Sequence, residues 1–100
     1  MLQTAEDIAW EIKEYIDKWG APYSSWYVGI ATDLQKRLFN DHGVNEKTDA
    51  WIYRYAVDSE TARRIESYFV ETLGTDGGTG GGDESSKAVY AYKKNSHTNP

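Results

Sequence analysis

Ser25-Trp26-Tyr27-Val28-Gly29-Ile30-Ala31-Thr32-Asp33-Leu34-Gln35-Lys36-Arg37-Leu38 changes its period part-way along. As far as Thr32 it is apolar almost without a break, the pattern of a strand covered on both faces, and it is expected at the centre of a sheet. Asp33 then offers a carboxylate to the free N–H groups of a helix. That helix is expected over Leu34–His42, with Leu34 and Leu38 turned inward and Gly43 closing it. A strand feeding directly into a helix places the chain among mixed α and β proteins.

Working back from this stretch, Thr4 and Asp7 read as a helix start of capping-box type. Ile8, Ile12, Tyr15, Ile16 and Trp19 recur at helical spacing until Gly20 and Pro22 end the element. Working forward, the polar loop VNEKTD leads to a second strand, Ala50–Val57, rich in aromatic and β-branched residues. Asp58 or Ser59 caps a third helix that runs to about Leu73, where Gly74 stops it. Thr75–Ser86 is too glycine-rich for regular structure and reads as a loop. Lys87–Lys94 is a third strand, and residues 95–100 are expected to be a disordered tail. The expectation is one α+β domain over residues 1–94. Its element order is α-β-α-β-α-β, with a small, mainly antiparallel three-stranded sheet flanked by three helices.

The bulk composition sets limits on function. One hundred residues, 39% hydrophobic and 14% aromatic, are enough for one modest core filled by a few large rings. There is no cysteine, so disulfides and thiolate metal sites are excluded. No leader-like start and no apolar run long enough for a membrane span is visible, so the expected compartment is the cytoplasm. Residues 1–20 set Glu6, Asp7, Glu11, Glu14 and Asp17 against Lys13 and Lys18, and so carry −3 of the net −5. Such an acidic balance argues against non-specific coating of nucleic acid. It leaves room for a local basic patch of Lys36, Arg37, Arg54 and Arg64, and for a protein partner on the acidic helix over residues 4–19.

Chemistry concentrates on the third helix. Ala62, Ile65, Phe69 and Leu73 form an apolar stripe, and Glu66 falls roughly 55° from its centre. A carboxylate there must be paired, hydrogen-bonded or bound to a cation. Two readings are open: a structural salt bridge to Arg37 or Arg54, or a metal ligand or acid–base group. Arg37 sits at the edge of the inner face of the second helix, where its planar fork suits a phosphate. His42 ends that helix and reads as a dipole partner. His97 falls in the tail. Trp51, Tyr53, Tyr55 and Val57 read as core or sheet cover, and the tyrosines of Ala88–Tyr92 read as core, with base stacking as the alternative. The acids Asp76, Asp83 and Glu84 loosely resemble a calcium repeat, but one copy without periodicity reads as a connector.

These residues also carry a family likeness. Tyr27-Val28-Gly29, followed by a polar turn and a helix bearing Arg37 and Leu38, resembles the second half of the signature of GIY-YIG nucleases. A further strand and a helix with a glutamate follow in that family, as AWIYRYAV and the Glu66 helix do here, so the likeness covers residues 25–73. It implies cleavage of DNA or RNA phosphodiesters with Mg²⁺ or Mn²⁺. In that case Tyr27 would activate or orient the nucleophile, Arg37 would stabilise the phosphate and Glu66 would hold the cation. A role for His42 as an auxiliary acid–base group is implied by the same likeness alone. The first strand of the family has no counterpart ahead of Tyr27, where the acidic helix stands instead. The C-terminal strand can take the vacant place, with Tyr90 or Tyr92 standing for the missing tyrosine.

Overall fold

The computed structural model describes residues 4–20, 22–77 and 85–100. Helix α1 is Ala5–Trp19, strand β1 is Trp26–Ala31, and α2 is a π-helical turn, Lys36–Asp41. Strand β2 is Trp51–Tyr55. Helix α3 is Ser59–Ser67, continuing as a π-helical stretch over Tyr68–Leu73, and β3 is Ala88–Lys93. This is the expected α+β architecture of three helices and a three-stranded antiparallel sheet.

The helix caps form where the sequence places them. Thr4 Oγ1 accepts from the Asp7 N–H at 3.1 Å, Asp33 Oδ1 from the Lys36 N–H at 3.1 Å, and Asp58 Oδ1 from the Thr61 N–H at 2.7 Å. Each satisfies a backbone donor that a helix start leaves unpaired. Ile8, Ile12 and Ile16 of α1 are fully buried, whereas Trp19, assigned to the same stripe, is mostly exposed. It lies in the last turn, beyond the part of the helix that the sheet covers.

The strand order is β1-β3-β2, so the central strand is β3, not β1. Every residue of β1 is nevertheless buried, because helices cover both of its faces. Its outer edge is also paired: the Val28 N–H donates to the Asp76 carbonyl at 2.9 Å, and the Asp76 N–H to the Trp26 carbonyl at 2.8 Å. Double-sided cover gives the same apolar run as a central position, which explains the misplacement.

The sheet has two unlike faces. Trp26, Val28, Ile30, Ile52, Val89 and Ala91 point toward α1 and α3, where Ile8, Ile12, Ile16, Ile65 and Phe69 complete an apolar core. Tyr27, Ala31, Tyr90 and Tyr92 point the other way, against Leu38 and Val44. On that second face Trp51 is partly covered, while Tyr53 and Tyr55 stand in solvent and Val57 is exposed just beyond β2, so this stripe is not core.

Two further expectations change. Residues 95–100, expected to be disordered, form a turn in which Thr98 Oγ1 accepts from the Asn95 N–H at 3.0 Å. Thr98 is buried there, and His97 Nε2 lies 2.6 Å from Asp49 Oδ2. The Gly-rich loop falls largely on residues 78–84, outside the described residues, and with it the reading of Asp83 and Glu84. Asp76 pairs with Lys94 at 3.3 Å. Among the described residues no helix is long and apolar enough to cross a membrane.

Candidate functional site

On the tyrosine face, antiparallel pairing of β1 with β3 sets Tyr27 opposite Tyr92 and Gly29 opposite Tyr90. Strand residues two apart share a face, so Tyr90 and Tyr92 stand side by side over the edge of β1. The Tyr27 ring stacks near-parallel to both, with centroids 5.3 Å from Tyr92 and 6.2 Å from Tyr90. Gly29 makes this possible. A Cβ at that position would lie 2.6 Å from the Tyr90 hydroxyl and 2.8 Å from its Cζ.

His42 enters from the end of α2. The π-helical turn closes with the His42 N–H donating to the Arg37 carbonyl at 2.9 Å, and swings the imidazole onto the tyrosines. Its Nε2 is 2.7 Å from the Tyr90 hydroxyl. Its Nδ1 is 2.6 Å from the Asn99 carbonyl and 3.1 Å from the Tyr92 hydroxyl, and its ring centroid is 4.6 Å from that of Tyr27. A carbonyl only accepts, so the proton sits on Nδ1. Burial chiefly, with the nearby Arg37 charge, holds the imidazole below its usual pKa, against the pull of the Asn99 bond. The ring is therefore neutral at pH 7, and its Nε2 accepts from the Tyr90 O–H. The helix-dipole reading of His42 gives way to a buried, bonded imidazole.

Burial also drives the hydroxyls of Tyr90 and Tyr92 above the ordinary tyrosine range. Both therefore stay protonated: Tyr90 donates to Nε2, and the Tyr92 oxygen faces the Nδ1–H as a second, longer acceptor. The charges of Arg37 and Glu66 are each felt at Tyr90, with opposite signs. Tyr27, His42, Tyr90 and Tyr92 thus meet in direct contact, while Arg37 and Glu66 act on Tyr90 through their charges alone.

Arg37 makes no ion pair with the described residues, and with Thr32, Asp33, Lys36, Asp41 and Ser86 it lines an open cleft of about 430 Å³. Of the expected basic patch only Lys36 and Arg37 share a cleft. Arg54 is turned to the opposite face and bonded to Glu11, and Arg64 lines a groove against α1.

Glu66 is buried with 6% of its surface exposed, and has Arg63 at 3.9 Å as its ion-pair partner. Neither Arg37 nor Arg54 pairs with it, so of the two readings left open by the sequence the salt bridge to those residues is not formed. Burial pushes its carboxyl up to about 7, only partly countered by Arg63. A buried carboxylate so weakly compensated is costly, and such groups cluster at working sites. Among the described residues no group of three or more acidic or imidazole side chains gathers around it. The donor set is therefore one carboxylate, which suits a hard cation completed by water and phosphate oxygens and does not suit zinc.

Base stacking by Tyr90 and Tyr92 is overturned, since both are fully buried. Sequence reasoning named Tyr92 only as an alternative to Tyr90, although both hydroxyls reach His42, and it missed the Asn99 main chain. Tyr92 is signalled by its spacing from Tyr90, whereas nothing in the sequence marks Asn99, which acts through its backbone. Compared with protein-family models, curated proteins and solved structures, the chain matches none.

Proposed function

We propose that the chain is a GIY-YIG-like domain that hydrolyses phosphodiester bonds of DNA or RNA with one Mg²⁺ or Mn²⁺ held by Glu66. The observation that carries this reading is a neutral histidine bonded into a tyrosine cluster that also feels the charges of Glu66, a buried carboxylate, and of Arg37, which has no ion pair among the described residues. The position of β3 between β1 and β2 supports it, because Tyr90 then stands beside Tyr27 as the family's second tyrosine would.

In this reading Arg37 and Lys36 hold the phosphate in their cleft, and Arg37 offers preorganised charge as the phosphorus gains an oxygen. Tyr27 orients the attacking water. The water's proton passes to the Tyr90 oxygen as the Tyr90 proton passes to His42 Nε2. The new P–O bond forms as the bond to the sugar oxygen breaks, and that oxygen takes a proton from solvent. The cation, when bound, neutralises charge and stabilises the leaving oxygen.

The test is a Mn²⁺ titration followed by amide NMR, with Glu66→Ala as control. Selective broadening around Glu66, Tyr27 and Arg37, absent in the variant, is expected, followed by cleavage assays on DNA and RNA. Because binding must displace the Glu66 proton, affinity should fall about tenfold per unit of pH below 7. No broadening at this cluster would sink the reading. One observation favours a second reading, a protein-interaction module. Trp10 of α1 is 61% exposed and, with Tyr68 and Arg64, lines a groove of about 400 Å³ beside α3. An inert site together with a Trp10→Ala variant that loses a partner would favour that reading.

A further inference from the structure

Asn99 grips His42 twice through its main chain. Its N–H donates to the His42 carbonyl at 2.7 Å, and its carbonyl accepts from His42 Nδ1 at 2.6 Å. Both bonds use atoms that every residue except proline possesses, so the grip does not depend on the asparagine side chain, which is exposed. The segment is itself fastened to the loop between α2 and β2. His97 Nε2 meets Asp49 Oδ2 at 2.6 Å, and the Asn95 amide donates to Asp49 Oδ1 at 3.0 Å. Asp49 in turn accepts from the Asn45 N–H at 2.7 Å, which ties the fastening to the same loop that carries the chain away from His42.

From this geometry we infer that residues 95–99 are a positioning clamp for the histidine, which fixes its proton on Nδ1 and leaves Nε2 free to accept from Tyr90. The inference rests on reading His42 as the proton acceptor of the proposed site, but the tautomer itself is observable without any substrate. An imidazole lacking a partner at Nδ1 interconverts between tautomers, and only the form with a bare Nε2 can take the Tyr90 proton. The Tyr92 hydroxyl, at 3.1 Å the longer of the two bonds at Nδ1, can donate as well as accept and so does not by itself fix the proton there, whereas a carbonyl only accepts. The apolar strands and helices do not need this segment for their core, since none of residues 95–100 belongs to either core cluster. Its bonds to the rest of the chain go to His42 and Asp49, where they act on the site instead of on the fold.

The experiment is a long-range ¹H–¹⁵N spectrum of the imidazoles in the full chain and three variants. The full chain and Asn99→Ala should show His42 as one tautomer, with Nδ1 protonated. Asn99→Pro, which deletes the N–H, and removal of Asn99 and Pro100, which deletes both bonds, should shift the ratio toward the Nε2-protonated form by about fivefold or more, the equivalent of one neutral hydrogen bond. Amide spectra report whether each variant remains folded, and removal of two residues outside the core is the milder of the two changes. An unchanged tautomer in both disruptive variants would overturn the clamp, as would a shift in Asn99→Ala. Loss of Mn²⁺ binding at Glu66 with a clamped tautomer would defeat the nuclease reading and leave the clamp standing. If cleavage is observed, the disruptive variants should lower kcat with KM unchanged.

Discussion

The two faces of one sheet are built on different principles. Against α1 and α3 the strands present Val28, Ile30, Val89 and Ala91, and the helices answer with isoleucines, alanine and Phe69. Nothing there depends on a particular polar atom. On the other face two tyrosines share hydrogen bonds with a histidine roughly fifty residues away in sequence, and Tyr27 stacks against all three rings. The first face stabilises by area removed from water, and it tolerates exchange among apolar side chains of similar volume. The second depends on every donor finding its acceptor, so its members are far less exchangeable. One face holds the fold together, and the other holds a site in shape.

The largest effect should come from breaking the apolar face. Phe69 is fully buried where α3 passes into its π-helical stretch. Phe69→Ala should cost about 3–5 kcal/mol, read as a drop in denaturant midpoint at constant slope. The imidazole signals of whatever fraction remains folded should be unchanged. Altered His42 signals in the folded fraction would mean that the two faces are not separable.

That separation also sets what was legible in the sequence. Periodicity and caps located α1, β1, β2, α3 and β3, because the apolar face obeys the spacing rules of helices and strands and each helix start carries its own side-chain cap. Position in the sheet was not legible for β1, since burial on both faces mimics a central strand. For the candidate site, Arg37, His42 and Glu66 could be named from residue type and local pattern, and Tyr27 and Tyr90 through the family likeness. The contact of Tyr27 with Tyr90 and Tyr92 could not, because it is created by pairing β3 between strands from distant parts of the chain. The segment after β3 was misjudged for a related reason. Asn95, His97 and Thr98 look like solvated tail until Asp49 and His42 supply their partners.

Glu66 is buried on α3 beside Ala62 and Ile65 of the apolar face, and its charge sharpens the comparison by pH. Its carboxyl titrates near its ordinary value of 4.5 when unfolded and near 7 when folded. Between those values the folded chain keeps a proton that the unfolded chain has lost, so stability falls as pH rises through this window and stays low above it. Glu66→Gln removes the penalty and should raise stability at pH 8 by on the order of 3 kcal/mol, while abolishing Mn²⁺ binding. The depressed His42 works the other way. It charges more readily in the unfolded chain, so its contribution is lost as pH falls below 6.5. The two partly cancel in the wild-type chain, and the variant should expose a clear loss on acidification. A variant no more stable at pH 8 would show that Glu66 is better compensated than its single ion pair indicates.

The smallest effect tests how tightly the tyrosine face is closed. Alanine at Gly29 would set a methyl group 2.6 Å from the Tyr90 hydroxyl and 3.1 Å from Tyr27 Cε1. A clash with the free end of a flexible side chain would be relieved cheaply. Here the hydroxyl is fastened to His42 Nε2 and the ring is buried between Tyr27 and His42, so relief must break that bond or shift β1. The strain should cost about 1–3 kcal/mol, offset in part by the smaller entropy loss of alanine relative to glycine in a strand. Adding Tyr90→Phe to Gly29→Ala removes the oxygen that is struck first. The double variant should therefore be more stable than the sum of the two single changes predicts, by about 0.5 kcal/mol or more. Strict additivity would mean that Gly29 serves β1 itself, through backbone freedom or pairing with β3, and that the tyrosine hydroxyl is not what requires a glycine beneath it.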